Sequence, residues 1–150
     1  MAITLEEMCD GISDTLATAT GILSVKSFDE LTTSIPADQC PRLQVYLDAI
    51  NGSSQNEQTQ QVAFNGGVQS LDIPIFVDLY ARQRSYLWLD MAAMVQCVDA
   101  ITDVIQVQPA GNYFGVPEIQ NFRWRFQRAV MQYGKSKYMG GRFTITVRVF

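Results

Sequence analysis

The spacing of apolar residues changes twice in the second half of this 150-residue chain, and that change is its strongest constraint on the fold. From Leu71 to Leu79 apolar residues occupy every second position, as they do in a half-buried β-strand. From Ser85 to Gln106 they recur with the period of an amphipathic helix. Two more alternating segments follow and extend to Phe150. Strands on both sides of one long helix predict an α+β fold.

The long helix should pack across the sheet through one apolar face, with its acidic side chains turned away. Trp88 is assigned to this predicted core, and Asp90 to the opposite side. Asp99 and Asp103 are placed on the solvated side as well. The predicted buried face consists of Leu87, Met91, Met94, Val95, Val98, Ile101, Thr102 and Ile105.

A second helix is predicted at the start of the chain. Thr4 and Glu7 have the spacing of a capping box, in which each side chain accepts a hydrogen bond from the other residue's backbone amide. Apolar residues at helical spacing follow from Leu5 to Leu16, and Gly21 should end the segment.

The rest of the first half predicts strands and a polar loop. A short strand is expected within 22–28, and 42–50 alternates as a half-buried strand with Leu43, Val45 and Leu47 on its buried side. The stretch from Asn51 to Gln61 has no apolar residue, so it should be a loop or a hairpin tip. A further strand should begin at Val62.

Two residue types suggest local details of the strands. Pro74 has no amide hydrogen, so the strand that contains it should lie at a sheet edge or carry a bulge there. The paired glycines in the segment from Tyr138 to Gly141 should form the turn between the last two strands. The predicted architecture is therefore a mostly antiparallel β-sheet packed on one face by the long central helix and the N-terminal helix. All 150 residues should form one domain.

Charge is distributed unevenly along the chain. Residues 1–80 contain eleven Asp and Glu but only Lys26 and Arg42, whereas 119–150 contain seven Lys and Arg and no acidic residue. If folding keeps these parts on separate surfaces, copies of the chain can associate head to tail through opposite charges.

Composition argues against most small-molecule chemistry. The chain has no histidine, the commonest general acid-base group and metal ligand. Its three cysteines are widely spaced and read as reduced, small apolar residues. No motif indicates a metal, cofactor or nucleotide site, and no secretory signal or membrane-length apolar stretch is apparent. We therefore expect neither a cofactor nor an enzyme, and no membrane association.

The segment Phe122-Arg123-Trp124-Arg125-Phe126 interleaves aromatic and basic residues, which is also typical of single-stranded nucleic-acid sites. Strand alternation, however, places the aromatic rings and the guanidinium groups on opposite faces. An ordinary strand with a solvated basic face, a basic face that meets an acidic neighbour, and a nucleic-acid site all fit this pattern.

In the order of its predicted helices and strands, and in the residue types of several segments, the chain resembles the tail terminator (tail completion) proteins of long-tailed bacteriophages. The resemblance covers most of the chain. It rests on the early amphipathic helix, the polar loop, and the segment DIPIFVDLYAR from Asp72 to Arg82, which leads directly into the long helix. It also rests on the FRWRF segment, the glycine-rich region around Tyr138 and the terminal strand from Phe143 to Phe150.

The resemblance implies a structural virion protein located at the tail–neck junction, and in the host cytoplasm during assembly. Such proteins form a homo-oligomeric ring, usually of six copies, on the tail tube. The ring halts tube growth and joins the tail to the head-completion, connector or neck protein. Partners would be the tail tube protein and, in a contractile tail, the sheath. DNA would pass through the ring without sequence-specific binding.

Candidate residues for the subunit or tube interface come from the basic segment, the polar loop and the Asp72 strand. They are Arg123, Arg125, Arg128, Lys135, Lys137, Arg142, Arg148, Asn51, Glu57, Gln58, Asp72 and Asp78. The alternatives are a nucleic-acid-binding module that uses the basic strand pair, and another neck or tail-completion protein of similar fold.

Overall fold

The computed structural model describes residues 4–31, 35, 40–47, 60–62 and 69–149. In this part of the chain two α-helices and six strands form an α+β architecture, as predicted. The helices are α1 (Leu5–Leu16) and α2 (Leu87–Gln106). The strands are β1 (Ser24–Lys26), β2 (Arg42–Leu47), β3 (Gln60–Val62), β4 (Gln69–Gln83), β5 (Ile119–Tyr133) and β6 (Ser136–Val149).

The strands form one sheet in the order β1-β2-β4-β6-β5, with β3 also paired to β4. Only β1 and β2 are parallel, so the sheet is mostly antiparallel. The β5–β6 hairpin is the longest unit, and each of its strands spans about 50 Å at 3.4 Å per residue. β5 has β6 as its single neighbour among the described strands, so its other side is a sheet edge.

Both helices pack on one face of the sheet, which we call the inner face. The predicted capping box starts α1: the Glu7 amide donates to Thr4 Oγ1 at 3.1 Å and the Thr4 amide to Glu7 Oε2 at 3.0 Å. Gly21 has a positive φ beyond the end of α1. The core between the layers includes Met8, Ile12 and Leu16 of α1, Met94, Ile101 and Ile105 of α2, and the alternate residues Ile73, Ile75, Val77, Leu79, Phe143, Ile145 and Val147 of the sheet.

The prediction that β4 is an edge strand, or is bulged at Pro74, is wrong. β4 is central, with β2 and β3 on one side and β6 on the other, and its register shift lies after Tyr80. The β2 ladder ends at Ile75 and the β3 ladder begins at Leu71, so Pro74 lies between two ladders. The described strands therefore place no β2 or β3 residue opposite Pro74, which lacks a donor for such a ladder.

The predicted turn at 138–141 is also wrong, because the hairpin turns at Gly134 and Lys135, between the paired residues Tyr133 and Ser136. Gly134 supplies the positive φ that this tight turn needs. Gly140 instead lies inside β6, where a Cβ atom would stand 1.8 Å from the backbone oxygen of Leu79. The paired glycines therefore permit close approach of neighbouring strands.

The orientation of α2 about its axis differs from the prediction. Ile101 and Ile105 are buried as expected, but Leu87, Trp88 and Val95 are 58%, 71% and 48% exposed. Asp90, predicted to point away, is fully buried. Its carboxylate lies 3.1 Å from Arg82 Nε and accepts a 2.9 Å hydrogen bond from the Ser85 amide. This anchor fixes the start of α2 to the end of β4 and turns the first apolar residues toward solvent.

The outer face of the sheet is more buried near β2 than the alternation predicted. Arg42 and Gln44, expected on a solvated side, are both buried. A second apolar cluster lies on this side of the sheet, formed by Ile35, Tyr80 and Tyr138 with Cys40, Met131 and Tyr133 packed against it. Within the described part of the chain, no helix has the length and apolar character needed to cross a membrane.

Candidate assembly surface

Sheet register neutralises two of the predicted interface cations. Asp78 is paired directly with Arg142, and Asp72 with Arg148, across the β4–β6 ladder. The charge that remains unpaired therefore differs from the charge counted along the sequence, and each candidate residue has to be placed separately.

The buried Asp78 and the partly exposed Arg142 form a hydrogen-bonded network at the centre of the outer face. Arg142 donates to the Asp78 carboxylate from Nε at 2.7 Å and from Nη2 at 3.3 Å, and the Tyr46 hydroxyl donates to the same carboxylate. The guanidinium also lies 4.0 Å from the centre of the Phe76 ring. Hydrogen bonding to Asp78 raises the pKa of Arg142. Burial, reinforced by the hydrogen bond to Asp78, raises the pKa of Tyr46.

A second acidic side chain serves two arginines at the end of the sheet where β4 starts. Arg148 Nε lies 2.8 Å from the Asp72 carboxylate, and this hydrogen bond raises the pKa of Arg148. Arg123 Nη1 approaches the same carboxylate only to 3.7 Å, and its side chain is 70% exposed. One carboxylate thus faces two guanidinium groups, and Arg123 is the weakly held one.

The expectation that the acid-rich and base-rich parts occupy separate flanks is therefore wrong for four candidate residues. Asp72, Asp78, Arg142 and Arg148 are interleaved in adjacent strands and neutralise one another. The reason is topological, since β4 comes from the acidic half of the sequence and lies between β2 and the basic strand β6.

The other basic candidates remain exposed. Arg125, Lys135 and Lys137 have no carboxylate within ion-pair distance among the residues that the structure describes. Arg128 points to the inner face, where its Nη1 lies 3.8 Å from Met91 Sδ of α2. The remaining candidates, Asn51, Glu57 and Gln58, lie outside the described residues.

Arg123 and Arg125 border a shallow groove on the outer face of β5 and β6. The groove has a volume of about 350 Å³ and is also lined by Trp124, Thr144 and Thr146. Trp124 and the neighbouring aromatic residues of β5 pack toward the core, as the alternation predicted. The Trp124 ring packs against Phe143 of the core, with 6.0 Å between ring centres. The groove presents guanidinium and hydroxyl donors, which suit an anionic ligand.

The helical layer has the opposite charge. Neither α1 nor α2 contains Lys or Arg. Exposed carboxylates lie at Asp14 of α1 and at Asp99 and Asp103 of α2, which are on the solvated side that the sequence predicted. The helices thus expose acidic side chains, and the exposed cations lie on the β5–β6 hairpin, with Arg123 and Arg125 on the outer face and Arg128 on the inner face.

An apolar patch adjoins the acidic side chains on α2. Trp88 and Val95 are exposed on the same side of the helix as Asp99, because residues spaced by seven and by four lie one above another on a helix. Tyr86, which precedes α2, is 66% exposed. The sequence missed this patch because the same residues also fit a buried helical stripe. The sequence also missed the anchoring role of Asp90. That role depends on a contact with Arg82 of β4, which the residue pattern of α2 does not reveal.

An aromatic pair after α2, Tyr113 and Phe114, is anchored on the sheet of its own chain. Phe114 is buried and its ring centre lies 4.9 Å from that of Phe122, while Tyr113 lies 5.0 Å from the same ring. Phe114 adopts a positive φ of 54° in a short 3-10 turn. These residues therefore close one end of the core.

A wider groove follows the other side of α2. It has a volume of about 690 Å³ and is lined by Cys97, Ala100 and Val104, with Asp103 at its rim and Gly21 and Pro41 opposite. Burial raises the pKa of the Cys97 thiol to about 11, so the thiol remains protonated near neutral pH.

The described residues contain no group of three or more His, Cys, Asp or Glu side chains positioned to hold a metal ion. No protein-family model and no curated protein sequence matches the chain.

Proposed function

We propose that this protein is a structural subunit that assembles into a ring, as a tail terminator does on the tail tube of a long-tailed bacteriophage. In this role the ring stops tube elongation and joins the tail to the head connector or neck. The proposal rests on the resemblance in element order and residue texture, and on surfaces that suit association between copies.

The observation that carries the proposal is the opposite charge of the two layers. The helices contain no basic residue and expose carboxylates, while the hairpin exposes cations without a local partner. Because Arg123 and Arg125 point to the outer face and the helices lie on the inner face, each copy offers one of these surfaces to each of two neighbours. Such head-to-tail contacts close into a ring when the rotation between copies is suitable.

The exposed apolar residues at the start of α2 strengthen this interpretation. Trp88 and Tyr86 are 71% and 66% exposed, and these residue types are enriched at the centres of protein interfaces. Exposed cationic and acidic groups around an apolar centre are typical of an interface with a polar rim.

Electron microscopy of the purified protein, together with light scattering after size-exclusion chromatography, tests the proposal. At 50 mM NaCl we expect rings with a central hole, either alone or on added tail tubes. At 500 mM NaCl the rings should partly dissociate, because salt screens exposed charges. A strict monomer at all salt concentrations that neither binds tail tubes nor limits their length would refute the proposal.

A nucleic-acid-binding module is the second candidate, and the groove between Arg123 and Arg125 is the observation in its favour. Binding to DNA would then fall steeply with salt, since each phosphate contact releases counterions. Alanine at both arginines would abolish DNA binding and leave the oligomeric state unchanged.

A further inference from the structure

We propose that Asp99 and Asp103 of one copy dock in the outer-face groove of the next copy, against Arg123 and Arg125. This pairing rests on the proposed ring and identifies the contact that would build it. The occupant of the groove is thus the exposed side of α2 from a second copy of this chain.

The spacing of the four charges is complementary. Asp99 and Asp103 are four residues apart on a helix, so their Cα atoms differ by about 6 Å along its axis. Arg123 and Arg125 are two residues apart on a strand and point to the same face, with a rise of about 6.8 Å between them. A helix laid along the strand therefore brings each carboxylate opposite one guanidinium group.

Both pairs lack adequate partners within one copy. α2 has no basic residue of its own, and Asp99 and Asp103 are exposed. In the described part of the chain Arg125 has no acidic partner, and Arg123 shares Asp72 with the closer Arg148. Charged groups left in this state gain most from a partner that also excludes water, because ion pairs strengthen when they are desolvated in good geometry.

The groove and the helix also offer contacts other than ion pairs. Thr146 and Thr144 of β6 line the groove opposite Arg123 and Arg125, and their hydroxyl groups can donate further hydrogen bonds to a carboxylate. On the helix, Trp88 and Val95 precede the acidic pair on the same side and supply apolar area. The indole of Trp88 can also receive a guanidinium group over its ring face.

These features favour a protein helix over a nucleic acid in the groove. Nonspecific binding of a single strand relies on aromatic faces that stack on bases, and the aromatic residues of β5 pack toward the core. The net charge of −4 also opposes general attraction to phosphate, whereas the helical layer provides an acidic partner in every copy.

Charge reversal tests the pairing. Arg123→Glu with Arg125→Glu, and separately Asp99→Lys with Asp103→Lys, should each weaken self-association by roughly 10- to 100-fold, measured by analytical ultracentrifugation. Mixing the two variants creates two matched contacts, because the helix of each variant is opposite in charge to the groove of the other. Alternating copies should therefore associate although neither variant associates with itself. In the fourfold variant every contact is matched again with its signs exchanged, so self-association should return to within tenfold of the wild type.

Lys26→Glu with Arg84→Glu is the control. These residues lie outside the candidate interface and the hairpin and have no ion pair in the described part of the chain, and the charge change is identical. This variant should retain wild-type self-association to within about twofold. The neutral variants Arg123→Gln with Arg125→Gln and Asp99→Asn with Asp103→Asn should give a smaller loss of the same sign, and they replace any reversal that lowers the melting temperature.

The outcomes separate the pairing from the proposed function. Rings that form normally in both reversal variants would overturn the pairing and leave the ring proposal intact. A fourfold variant that stays dissociated while Lys26→Glu with Arg84→Glu assembles would also overturn it. Loss of DNA binding without loss of assembly in Arg123→Glu with Arg125→Glu would assign the groove to nucleic acid. A wild-type protein that never self-associates would refute both the pairing and the proposed ring.

Discussion

The Asp78–Arg142 network allows a stability prediction with an unequal outcome for its two partners. The side chain of Asp78 is 3% exposed, whereas that of Arg142 is 40% exposed. Arg142→Ala would leave a buried carboxylate with the Tyr46 hydroxyl as its remaining side-chain donor in the described structure, and would remove the guanidinium from the Phe76 ring. Asp78→Ala would leave a guanidinium that water can still reach.

We therefore expect Arg142→Ala to destabilise the fold more than Asp78→Ala. Leaving a buried charge without its partner costs about 3–5 kcal/mol, and the partial exposure of Arg142 places this variant near the lower limit, at about 3 kcal/mol. Asp78→Ala loses charge-assisted hydrogen bonds whose donors rehydrate in part, which should cost about 2 kcal/mol. The double variant should cost less than the sum of the two, by about 1 kcal/mol or more, because each single change already removes the shared contact.

Urea unfolding monitored by circular dichroism gives these free energies, and repeating it at 0.5 M NaCl tests the burial of the network. The coupling should persist at high salt because screening acts mainly on exposed charges. Arg125→Ala is the control and should stay within about 0.5 kcal/mol of the wild type, since Arg125 is exposed. Equal costs for the two single variants, or a coupling energy near zero, would refute the assignment of Asp78 as the buried partner.

Two further predictions concern the strand packing and the thiols. Gly140→Ala should lower the free energy of unfolding in urea by about 3 kcal/mol or more, because the new methyl group would meet the backbone oxygen of Leu79. A backbone atom cannot move aside as a side chain does. A loss of unfolding free energy below about 1 kcal/mol would contradict this packing. Burial raises the pKa of Cys9 and of Cys97 from 9.0 to about 11, which lowers their thiolate fractions about 100-fold at pH 8. Cys40, which is only partly buried, should therefore react first with iodoacetamide in the native protein, as read by mass spectrometry.

The elements set by neighbouring residues were predictable from the sequence. The Thr4–Glu7 capping box and the alternation from Leu71 to Leu79 each depend on contacts a few residues apart or on one repeated spacing. The order of helices and strands follows from these local signals, and with it the fold class. The position of a strand within the sheet does not follow from local signals, and so the sequence did not predict that β4 is a central strand.

The two glycine errors have a common physical cause. Gly140 and Gly141 resemble a turn in sequence because glycine permits positive φ, but glycine is also required where a Cβ atom would collide with a neighbouring strand. The true turn has the positive-φ residue Gly134 between Tyr133 and Ser136. Distinguishing the two uses needs the register of β6 against β4, which is a long-range property.

The prediction of which side of α2 is buried was wrong for a similar reason. Apolar residues occupy several sides of this helix, so the pattern allowed more than one buried stripe. The Arg82–Asp90 ion pair selects among them by drawing one acidic residue inward, and it leaves Trp88 on the surface. A contact between a strand and a helix therefore determined which apolar residues remain available to a partner.

The same long-range effect changes what the charge asymmetry means. Counting charge along the chain placed all seven cations of 119–150 at an interface. In the folded sheet, Arg142 and Arg148 lie opposite aspartates of β4, and they stabilise one copy rather than joining two. Among the described strands, β5 has β6 as its single neighbour, and β6 contains no acidic residue. The proposed pairing uses Arg123 and Arg125, the groove cations that a strand neighbour does not fully neutralise, since Arg123 approaches Asp72 only to 3.7 Å. In that proposal the acidic groups come from another layer, α2, which has no cation of its own.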